Sequence, residues 1–178
     1  RPVVAVYSTF LNRAWDQVVY DVALHRLPVI FCLDRAGITG PDGASHHGVY
    51  DMALMSKVPG MRVFAPSSAQ ELAQMLHDAV DLVDEGPIAI RYARGAARQV
   101  GEHEVGEGFH ARRVVSADDA EVCIIAVGKM LEIAEQAAAK LAEAGTTANV
   151  WDARCCAPLD PTMIAAAATH RRVVTIED

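Results

Sequence analysis

The chain lacks the features that mark several classes of protein. Its four cysteines, Cys32, Cys123, Cys155 and Cys156, include no C-x-x-C pair, so their spacing predicts neither a zinc site nor a disulfide framework. No apolar stretch is long enough to cross a bilayer, and no run of lysine and arginine occurs. With a net charge of −7, this composition argues against a membrane partner and against a nucleic-acid surface. We therefore expect a cytoplasmic protein with reduced cysteines.

The glycine-rich motifs of nucleotide-binding folds are also missing. Residues 37–43 (GITGPDG) contain closely spaced glycines, but they do not match G-x-G-x-x-G and no P-loop lysine follows them. The chain has no internal repeat and no low-complexity tract. Its 178 residues, of which 52% are hydrophobic, can bury a substantial core in one large domain or in two small ones.

Strand-like and helix-like segments alternate along the chain. Short apolar runs predict strands, and apolar residues three or four positions apart predict helices. The predicted strands are residues 3–6, 29–33, 61–65, 88–92, 122–128, 148–151 and 173–178. The predicted helices cover residues 11–22, 50–56, 68–83 and 130–141, and a last one begins at residue 161. Because this alternation places helices on both faces of a mostly parallel sheet, the pattern predicts an α/β fold.

Three of the predicted helices begin with capping signals. Ser8 or Thr9 is expected to cap the first helix, and Ser68 followed by Glu71 has the pattern of a capping box. Asp160 precedes a proline, which is typical of an N-cap followed by the first helical residue.

The character of the sequence changes between residues 93 and 119. This stretch contains several glycines and charged residues and no sustained apolar period, which predicts a linker with a hairpin near Gly108. We therefore expect a first domain over residues 1–110, including the start of the linker. The beginning of a second α/β domain is expected over residues 119–178, and we expect it to be truncated because it ends after few strands.

Residues 34–48 (DRAGITGPDGASHHG) are the most informative about function. They follow a predicted buried strand, and open α/β sheets bind ligands at the carboxyl ends of their strands. Four glycines allow close approach of a ligand, while Arg35, the carboxylates of Asp34 and Asp42 and two adjacent histidines supply anion-binding and acid–base groups. The composition therefore favours a functional site over the alternative, an ordinary polar loop.

Several motifs together resemble one enzyme family. YSTFLNRAWDQ (7–17), the 34–48 segment, APS (65–67) and GPIAIRYARG (86–95) resemble the pyrimidine-binding domain of 1-deoxy-D-xylulose-5-phosphate synthases, which are transketolase-like thiamine diphosphate enzymes. WDAR and APLDP within residues 151–161 resemble the opening part of that family's C-terminal domain. The resemblance implies condensation of pyruvate with glyceraldehyde 3-phosphate and loss of CO2, a reaction that supplies isoprenoid, thiamine and pyridoxal biosynthesis.

The resemblance implies a phosphate-binding set made of Tyr7, Arg35 and Arg94. Each lies at the carboxyl end of a predicted strand or just beyond it, so the three can meet at one sheet edge. Cationic forks and a hydroxyl group suit a phosphate. The alternatives are that Arg35 caps its own loop and that Arg94 is a surface charge.

The resemblance also implies roles for three residues near the reacting centre. His46 matches the family's active-site histidine and Asp42 matches a loop carboxylate, so both are predicted to be catalytic. Phe10 is predicted to stack on the aminopyrimidine ring of the cofactor, and the alternative is a core phenylalanine. His47 is not included in the site.

Thiamine diphosphate and Mg²⁺ require groups that these residues do not supply. The resemblance implies that the glutamate that activates the pyrimidine ring lies upstream of the position of Arg1. The diphosphate–Mg²⁺ site, a G-D-G followed by Asn, is expected in a separate N-terminal domain, and no G-D-G occurs here. No metal ligand is therefore predicted in the chain.

Two hypotheses follow from this partial site. The first is a fragment of the synthase, completed by the missing N-terminal domain, acting as a homodimer and inactive when isolated. The alternative is a non-catalytic or β-type partner subunit of a transketolase-like or 2-oxo-acid dehydrogenase enzyme. A third possibility, a transketolase-like enzyme with other substrates, is disfavoured because the 34–48 loop and the Tyr7, Arg35 and Arg94 set occur together.

Overall fold

The computed structural model describes all 178 residues and contains two α/β units. The strands are β1 (Val3–Tyr7), β2 (Ile30–Ala36), β3 (Arg62–Phe64), β4 (Ile88–Ala93), β5 (Arg112–Val115), β6 (Val122–Ala126), β7 (Ala148–Asp152), β8 (Cys155–Ala157) and β9 (Arg172–Ile176). The α-helices are α1 (Ser8–Leu11), α2 (Asp51–Met55), α3 (Ala69–Leu82), α4 (Met130–Glu143) and α5 (Pro161–Ala167). None of them combines the length and the apolar character that a bilayer crossing needs.

The first sheet has the strand order β1-β2-β4-β3-β8. β1, β2, β4 and β3 run parallel, and β8 pairs with β3 in the antiparallel direction. Along β2, Phe31 and Leu33 pack into one apolar cluster while Ile30 packs into another, so both faces of the sheet are buried. The predicted α/β class with a mostly parallel sheet is therefore confirmed.

The second sheet has the order β5-β7-β6-β9, in which only β5 is antiparallel to its neighbour. β6 also has two buried faces, with Ile124 on one side and Ile125 on the other. β9 is an edge strand, and its Val173 and Val174 are 47% and 48% exposed. This half of the chain is thus a second, mostly parallel α/β layer with β5 and β9 as its edge strands.

The stretch predicted as a linker contains β5, which the sequence analysis missed. β5 pairs with β7 and belongs to the second sheet by its hydrogen bonds. The expected hairpin near Gly108 is wrong, since that residue lies in a turn in which the His110 N–H donates to the Glu107 carbonyl at 3.4 Å. A strand of four residues has too few positions for an apolar period, and only its partner β7 makes it a strand.

Two of the three capping predictions are supported. The Ser68 hydroxyl accepts from the Glu71 N–H at 3.0 Å, and the Asp160 carboxylate accepts from the Thr162 N–H at 2.7 Å. The capping box at Ser68 is only half formed, because the Glu71 side chain does not return to the Ser68 N–H. Glu71 is used in a buried network that is described below.

The predicted cap of the first helix is wrong. α1 begins at Ser8 with Tyr7 as its N-cap and no side-chain cap. The Ser8 hydroxyl is buried without a hydrogen-bond partner, and the Thr9 hydroxyl donates to the Ser45 carbonyl at 3.1 Å, so neither caps the helix. After α1 the chain continues through a 3-10 turn and a π-helical segment, Gln17–Ala23.

Candidate active site

The carboxyl ends of three adjacent strands form one edge of the first sheet. β1 ends at Tyr7, which pairs with Asp34 in β2, and Asp34 pairs with Tyr92 in β4. The two arginines follow at once, since Arg35 is the next residue of β2 and Arg94 directly follows β4. The predicted meeting of Tyr7, Arg35 and Arg94 at one sheet edge is therefore confirmed, while their roles stay predictions.

The backbone at Arg35 is unusual. β2 continues to Ala36, so Asp34 and Arg35 are strand residues and not loop residues, as the sequence analysis had them. Arg35 has a φ of 61°, and the pairing of β2 with β4 shifts its register between Asp34 and Ala36. A non-glycine residue in this conformation costs about 1–3 kcal/mol and is typical of functional sites. The shift turns the Arg35 side chain out of the regular alternation of the strand.

The loop that follows β2 is closed at its base by two glycines. The Gly37 N–H donates to the Gly48 carbonyl at 2.9 Å, and the Gly48 N–H donates back at 2.8 Å. A Cβ atom on Gly48 would collide with the carbonyl oxygen of Arg35 and with Oγ of Ser8. Glycine at position 48 therefore lets the loop end pack directly against the backbone of Arg35.

Asp42 links the two arginines. Its Oδ2 atom lies 3.3 Å from Nε of Arg35 and 3.0 Å from Nε of Arg94, and Arg35 also pairs with Asp34. Desolvation alone would lower the pKa of Arg35, but the charges of Asp34, Tyr7 and Asp42 outweigh it and raise the pKa. The two guanidinium groups and two carboxylates balance in charge. One terminal NH2 group of Arg35 and both of Arg94 donate no hydrogen bond within the chain.

Three rings lie beside these charges. The Tyr7 and Phe10 rings are nearly parallel with centroids 5.5 Å apart, and the His46 ring meets Phe10 edge-on at 5.5 Å. The Arg35 guanidinium carbon lies 3.9 Å above the centre of the Tyr7 ring. The structure thus brings all six predicted site residues into one continuous cluster, since Asp42 joins Arg94 to Arg35 and Arg35 joins the rings.

The two adjacent histidines have different surroundings. His47 has a structural contact, because the Thr39 N–H donates to its Nδ1 atom at 3.1 Å and the Thr39 hydroxyl lies 2.9 Å away. Nδ1 of His46 lies 3.1 Å from the Ser45 hydroxyl, and its Nε2 atom has no partner within the chain. Nε2 of His47 has no partner within the chain either, so the two histidines differ in place: the His46 ring meets the rings of Tyr7 and Phe10 edge-on, which puts its free Nε2 beside the cluster.

A cavity of about 670 Å³ lies behind the arginines, between the two units. Arg35, Tyr92 and Arg94 line it from the first unit, and Lys129 and Ile133 line it from the second unit. The segment after β4 forms one of its walls. The cluster of charges therefore has the three rings on one side and, on the other, this cavity, which both units line.

A buried ionic network joins the two units, and the sequence analysis missed it. Arg154 is fully buried and has a φ of 53°; its Nε donates to Oε2 of Glu71 at 2.8 Å. One terminal nitrogen of Arg154 donates to three carbonyl oxygens, those of Glu107, Gly108 and His110, at 2.7–3.1 Å. A signal was present in the sequence, since Glu71 and Asp78 occupy the same stripe of α3 as its buried apolar residues.

The carboxylates of this network hold the chain between the units. Glu71 accepts from the Gly106 N–H at 2.7 Å, and Asp78 accepts from the Gly108 N–H at 2.8 Å. Asp152 is also fully buried and accepts from the Ser67 hydroxyl at 2.6 Å. Burial raises the pKa of Asp152 to about 6, although the bond from Ser67 opposes this rise.

The cluster fits part of a thiamine cofactor. The Tyr7 ring stacks on Phe10 and the Arg13 guanidinium carbon lies 5.8 Å from the centre of the Phe10 ring. Phe10 is still 39% exposed, and a pyrimidine could contact the part of the ring that these two neighbours leave accessible. The carboxylates of Asp34 and Asp42 pair with the arginines, which leaves no carboxylate of the cluster free to bind the pyrimidine ring. No group of three or more histidine, cysteine, aspartate or glutamate side chains in the chain is arranged to hold a metal ion.

Comparisons with known families cover nearly the whole chain. Residues 1–99 match the transketolase pyrimidine binding domain, and residues 111–178 match the transketolase C-terminal domain. A 1-deoxy-D-xylulose-5-phosphate synthase from Anaeromyxobacter sp. (strain K) is 48% identical over 100% of this chain and 28% of its own length. One from Mycobacteroides abscessus is 47% identical over 99% of this chain and 28% of its own length. The chain thus spans about 28% of the length of these relatives.

Solved structures agree with the fold. A structure described as a split gene transketolase, inactive beta4 tetramer, has a TM-score of 0.87 and 29% identity, covering 99% of this chain and 57% of that one. A transketolase from Campylobacter jejuni has a TM-score of 0.82 at 17% identity, over 99% of this chain and 31% of that one, which supports the fold alone. From the family matches and the relatives at 47–48% identity, the chain belongs to the 1-deoxy-D-xylulose-5-phosphate synthase family of transketolase-like, thiamine diphosphate-dependent transferases.

Proposed function

We propose that the complete protein containing these residues condenses pyruvate with glyceraldehyde 3-phosphate, releases CO2 and forms 1-deoxy-D-xylulose 5-phosphate. This product would supply isoprenoid, thiamine and pyridoxal biosynthesis. The names of the relatives support this activity. The observation that carries the proposal in this chain is the pair Arg35 and Arg94, which Asp42 holds side by side with three terminal NH2 groups free.

We assign the phosphate group of the aldehyde to these two guanidinium groups. Asp42 accepts a hydrogen bond from Nε of Arg35 and forms an ion pair with Nε of Arg94, so it holds both guanidinium groups near each other before a substrate arrives. The remaining NH2 groups can each donate to phosphate oxygens, and the Tyr7 hydroxyl is the third proposed donor. Because charged hydrogen bonds contribute about 1.5–3 kcal/mol each, loss of either arginine should weaken binding at least about tenfold.

We assign the proton transfers to His46, with Asp42 as the carboxylate beside the reacting centre. His46 has one free ring nitrogen and stands edge-on to Phe10. When bound, thiamine diphosphate would supply a nucleophilic carbon for the pyruvate carbonyl and an electron sink for the decarboxylation. Phe10 would hold the pyrimidine ring of this cofactor, and His46 would donate to or accept from the oxygen substituents of the reactants.

The remaining parts of the proposed enzyme lie outside the chain. An N-terminal domain would provide the glutamate for the pyrimidine ring and the diphosphate–Mg²⁺ site. We also propose a homodimer in the cytoplasm, with a pyrimidine-binding domain over residues 1–110 and a C-terminal domain whose first part covers residues 119–178. The isolated chain should then neither hold thiamine diphosphate tightly nor turn over.

The test is product formation by the complete protein. Purified protein with thiamine diphosphate, Mg²⁺, pyruvate and glyceraldehyde 3-phosphate should release CO2 and form 1-deoxy-D-xylulose 5-phosphate, followed by mass spectrometry. The variant His46→Gln should reduce turnover while leaving the protein folded. Turnover of sugar phosphates as in a transketolase, without use of pyruvate, would contradict the proposal.

A second candidate function is a β-type subunit that completes its site with a separate α-type chain. The likeness to the split gene transketolase structure favours it. The match extends over 57% of that chain, and that structure is described as an inactive beta4 tetramer. The two candidates differ when the chain is mixed with a separately produced N-terminal domain. Recovery of activity on mixing would favour the β-type subunit, and no recovery would favour one continuous chain.

A further inference from the structure

The segment that carries Arg94 forms a strap over the cavity. We use the word strap for residues 94–100, which leave β4 and line one wall of the cavity as far as Arg98. Residues 95–97 form no backbone–backbone hydrogen bond, and Gly95 has a φ of 110°. The path of the strap is therefore set by its two ends, namely β4 on one side and the contacts of residues 98–100 on the other.

The far end of the strap is attached to the first turn of α3. The Ala69 N–H donates to the Arg98 carbonyl at 2.9 Å, and the Val100 N–H donates to the Gln70 side chain at 3.0 Å. The Gln70 amide also donates to the Gln99 side chain at 2.8 Å. These contacts belong to the first unit alone.

One contact ties the strap to the second unit. Nη1 of Arg98 donates to Oε2 of Glu135 in α4 at 2.5 Å, and both side chains are less than one-third exposed, at 27% and 28%. Glu104 approaches the same guanidinium only to 3.9 Å. The bond from Glu135 is the largest cause of the raised pKa of Arg98.

We propose that Glu135 is a positioning residue for the acceptor phosphate: through Arg98 it holds the strap against the second unit and so fixes the Arg94 guanidinium beside Arg35. This inference rests on the proposed function for the identity of the acceptor. Glu135 touches no substrate in this account. It acts through the strap, whose first residue is Arg94 and whose unbonded middle would otherwise leave that side chain less restrained.

The sign of the effect separates positioning from simple electrostatics. Removing a negative charge near an anion site strengthens anion binding if charge alone acts. Loosening the strap weakens anion binding instead. Mutations that act through intervening contacts change coupling by about 0.5–2 kcal/mol, which is a factor of about two to thirty. Glu135→Gln should therefore raise the dissociation constant of inorganic phosphate about two- to thirtyfold.

The experiment compares Glu135→Gln with Glu143→Gln in the complete protein. Glu143 lies at the far end of the same helix, and its carboxylate forms no ion pair. The affinity for inorganic phosphate is measured by calorimetry, and the exchange of the Ala69 and Val100 amides is measured by mass spectrometry. Glu135→Gln should weaken phosphate binding and accelerate the hydrogen exchange of both amides. Glu135→Asp should recover part of the affinity and part of the protection from exchange, and Glu143→Gln should change neither.

The kinetic arm uses two acceptors. Glu135→Gln should raise KM for glyceraldehyde 3-phosphate but leave KM for pyruvate and for unphosphorylated glyceraldehyde unchanged, and the effect should vanish in an Arg94→Ala background. Equal phosphate affinity in Glu135→Gln and the unaltered protein would overturn the inference, as would weaker binding without faster amide exchange. If the unaltered protein forms no product, the proposed function fails, while phosphate affinity and exchange still decide the role of Glu135.

Discussion

Replacement of Arg154 by methionine should destabilise the chain more than any exposed ion-pair change. Arg154 is fully buried and its partner Glu71 is 1% exposed, so the substitution leaves a buried carboxylate with its main counter-charge removed. It also removes the group that donates hydrogen bonds to three carbonyl oxygens between the two units. Methionine retains most of the length of the side chain, which limits the contribution of a cavity.

The expected loss follows from these contacts. Breaking a buried ion pair by removal of one partner costs about 3–5 kcal/mol, because the other charge stays buried without compensation. The Gly106 N–H, which also donates to Glu71, and Arg112, at 3.6 Å from it, retain part of the stabilisation of that carboxylate. We therefore expect Arg154→Met to lower the free energy of unfolding by about 3 kcal/mol.

Urea unfolding followed by tryptophan fluorescence measures this loss. Trp151 is 8% exposed and lies three positions before Arg154, so it reports on this region. Arg171→Met is the matched control, because the Arg171 side chain is 70% exposed and pairs at 3.4 Å with Glu121, which is 52% exposed. This control should cost less than about 1 kcal/mol. The reasoning is refuted if both variants lose the same amount, or if Arg154→Met loses less than about 1 kcal/mol.

Three further changes test other parts of the structure. The pKa of Asp152 is raised from 3.8 to about 6, so the folded protein keeps a proton that the unfolded chain releases. The stability that this group contributes is present below pH 3.8 and is lost as the pH rises through 6. The loss in the free energy of unfolding is up to about 3 kcal/mol. Asp152→Asn should flatten that dependence in urea unfolding from pH 4 to 7, and an unchanged slope would contradict it. Asp160→Ala removes the acceptor of the Thr162 and Ala111 N–H groups, at 2.7 and 2.8 Å. It should lower the free energy of unfolding by about 2 kcal/mol, and Asp160→Asn should lower it less. Equal losses of the two variants in thermal unfolding would argue against capping. Gly48→Ala should displace Arg35 and weaken phosphate binding in calorimetry, and unaltered affinity would show that the close approach is not needed.

The convergence of the site was predictable because it depends on topology alone. The resemblance selected Tyr7, Arg35 and Arg94, and the strand pattern showed that they can meet, because residues that end parallel strands lie at one sheet edge. The positive φ of Arg35 was not predictable, because nothing in the residue type signals it and the surrounding structure enforces it. The same holds for Asp42, whose bridging position depends on how the loop folds back.

The contacts between the two units were harder to infer. Glu71 and Arg154 are 83 positions apart, and a capping-box pattern gave the glutamate a local role that the structure does not use. β8 joins the first sheet although it follows β7 of the second, and its three residues have no period to reveal the crossing. Long-range partners of short or buried polar segments are decided by packing, which a single sequence does not encode locally.

The most direct test of the central claim compares two acceptors with the variant Arg94→Ala in the complete protein. The account assigns Arg94 to the phosphate group, so KM for glyceraldehyde 3-phosphate should rise at least about tenfold. KM for unphosphorylated glyceraldehyde and for pyruvate should stay the same. An equal rise for both aldehydes, or no rise for the phosphorylated one, would contradict the assignment of this edge of the sheet as the phosphate site.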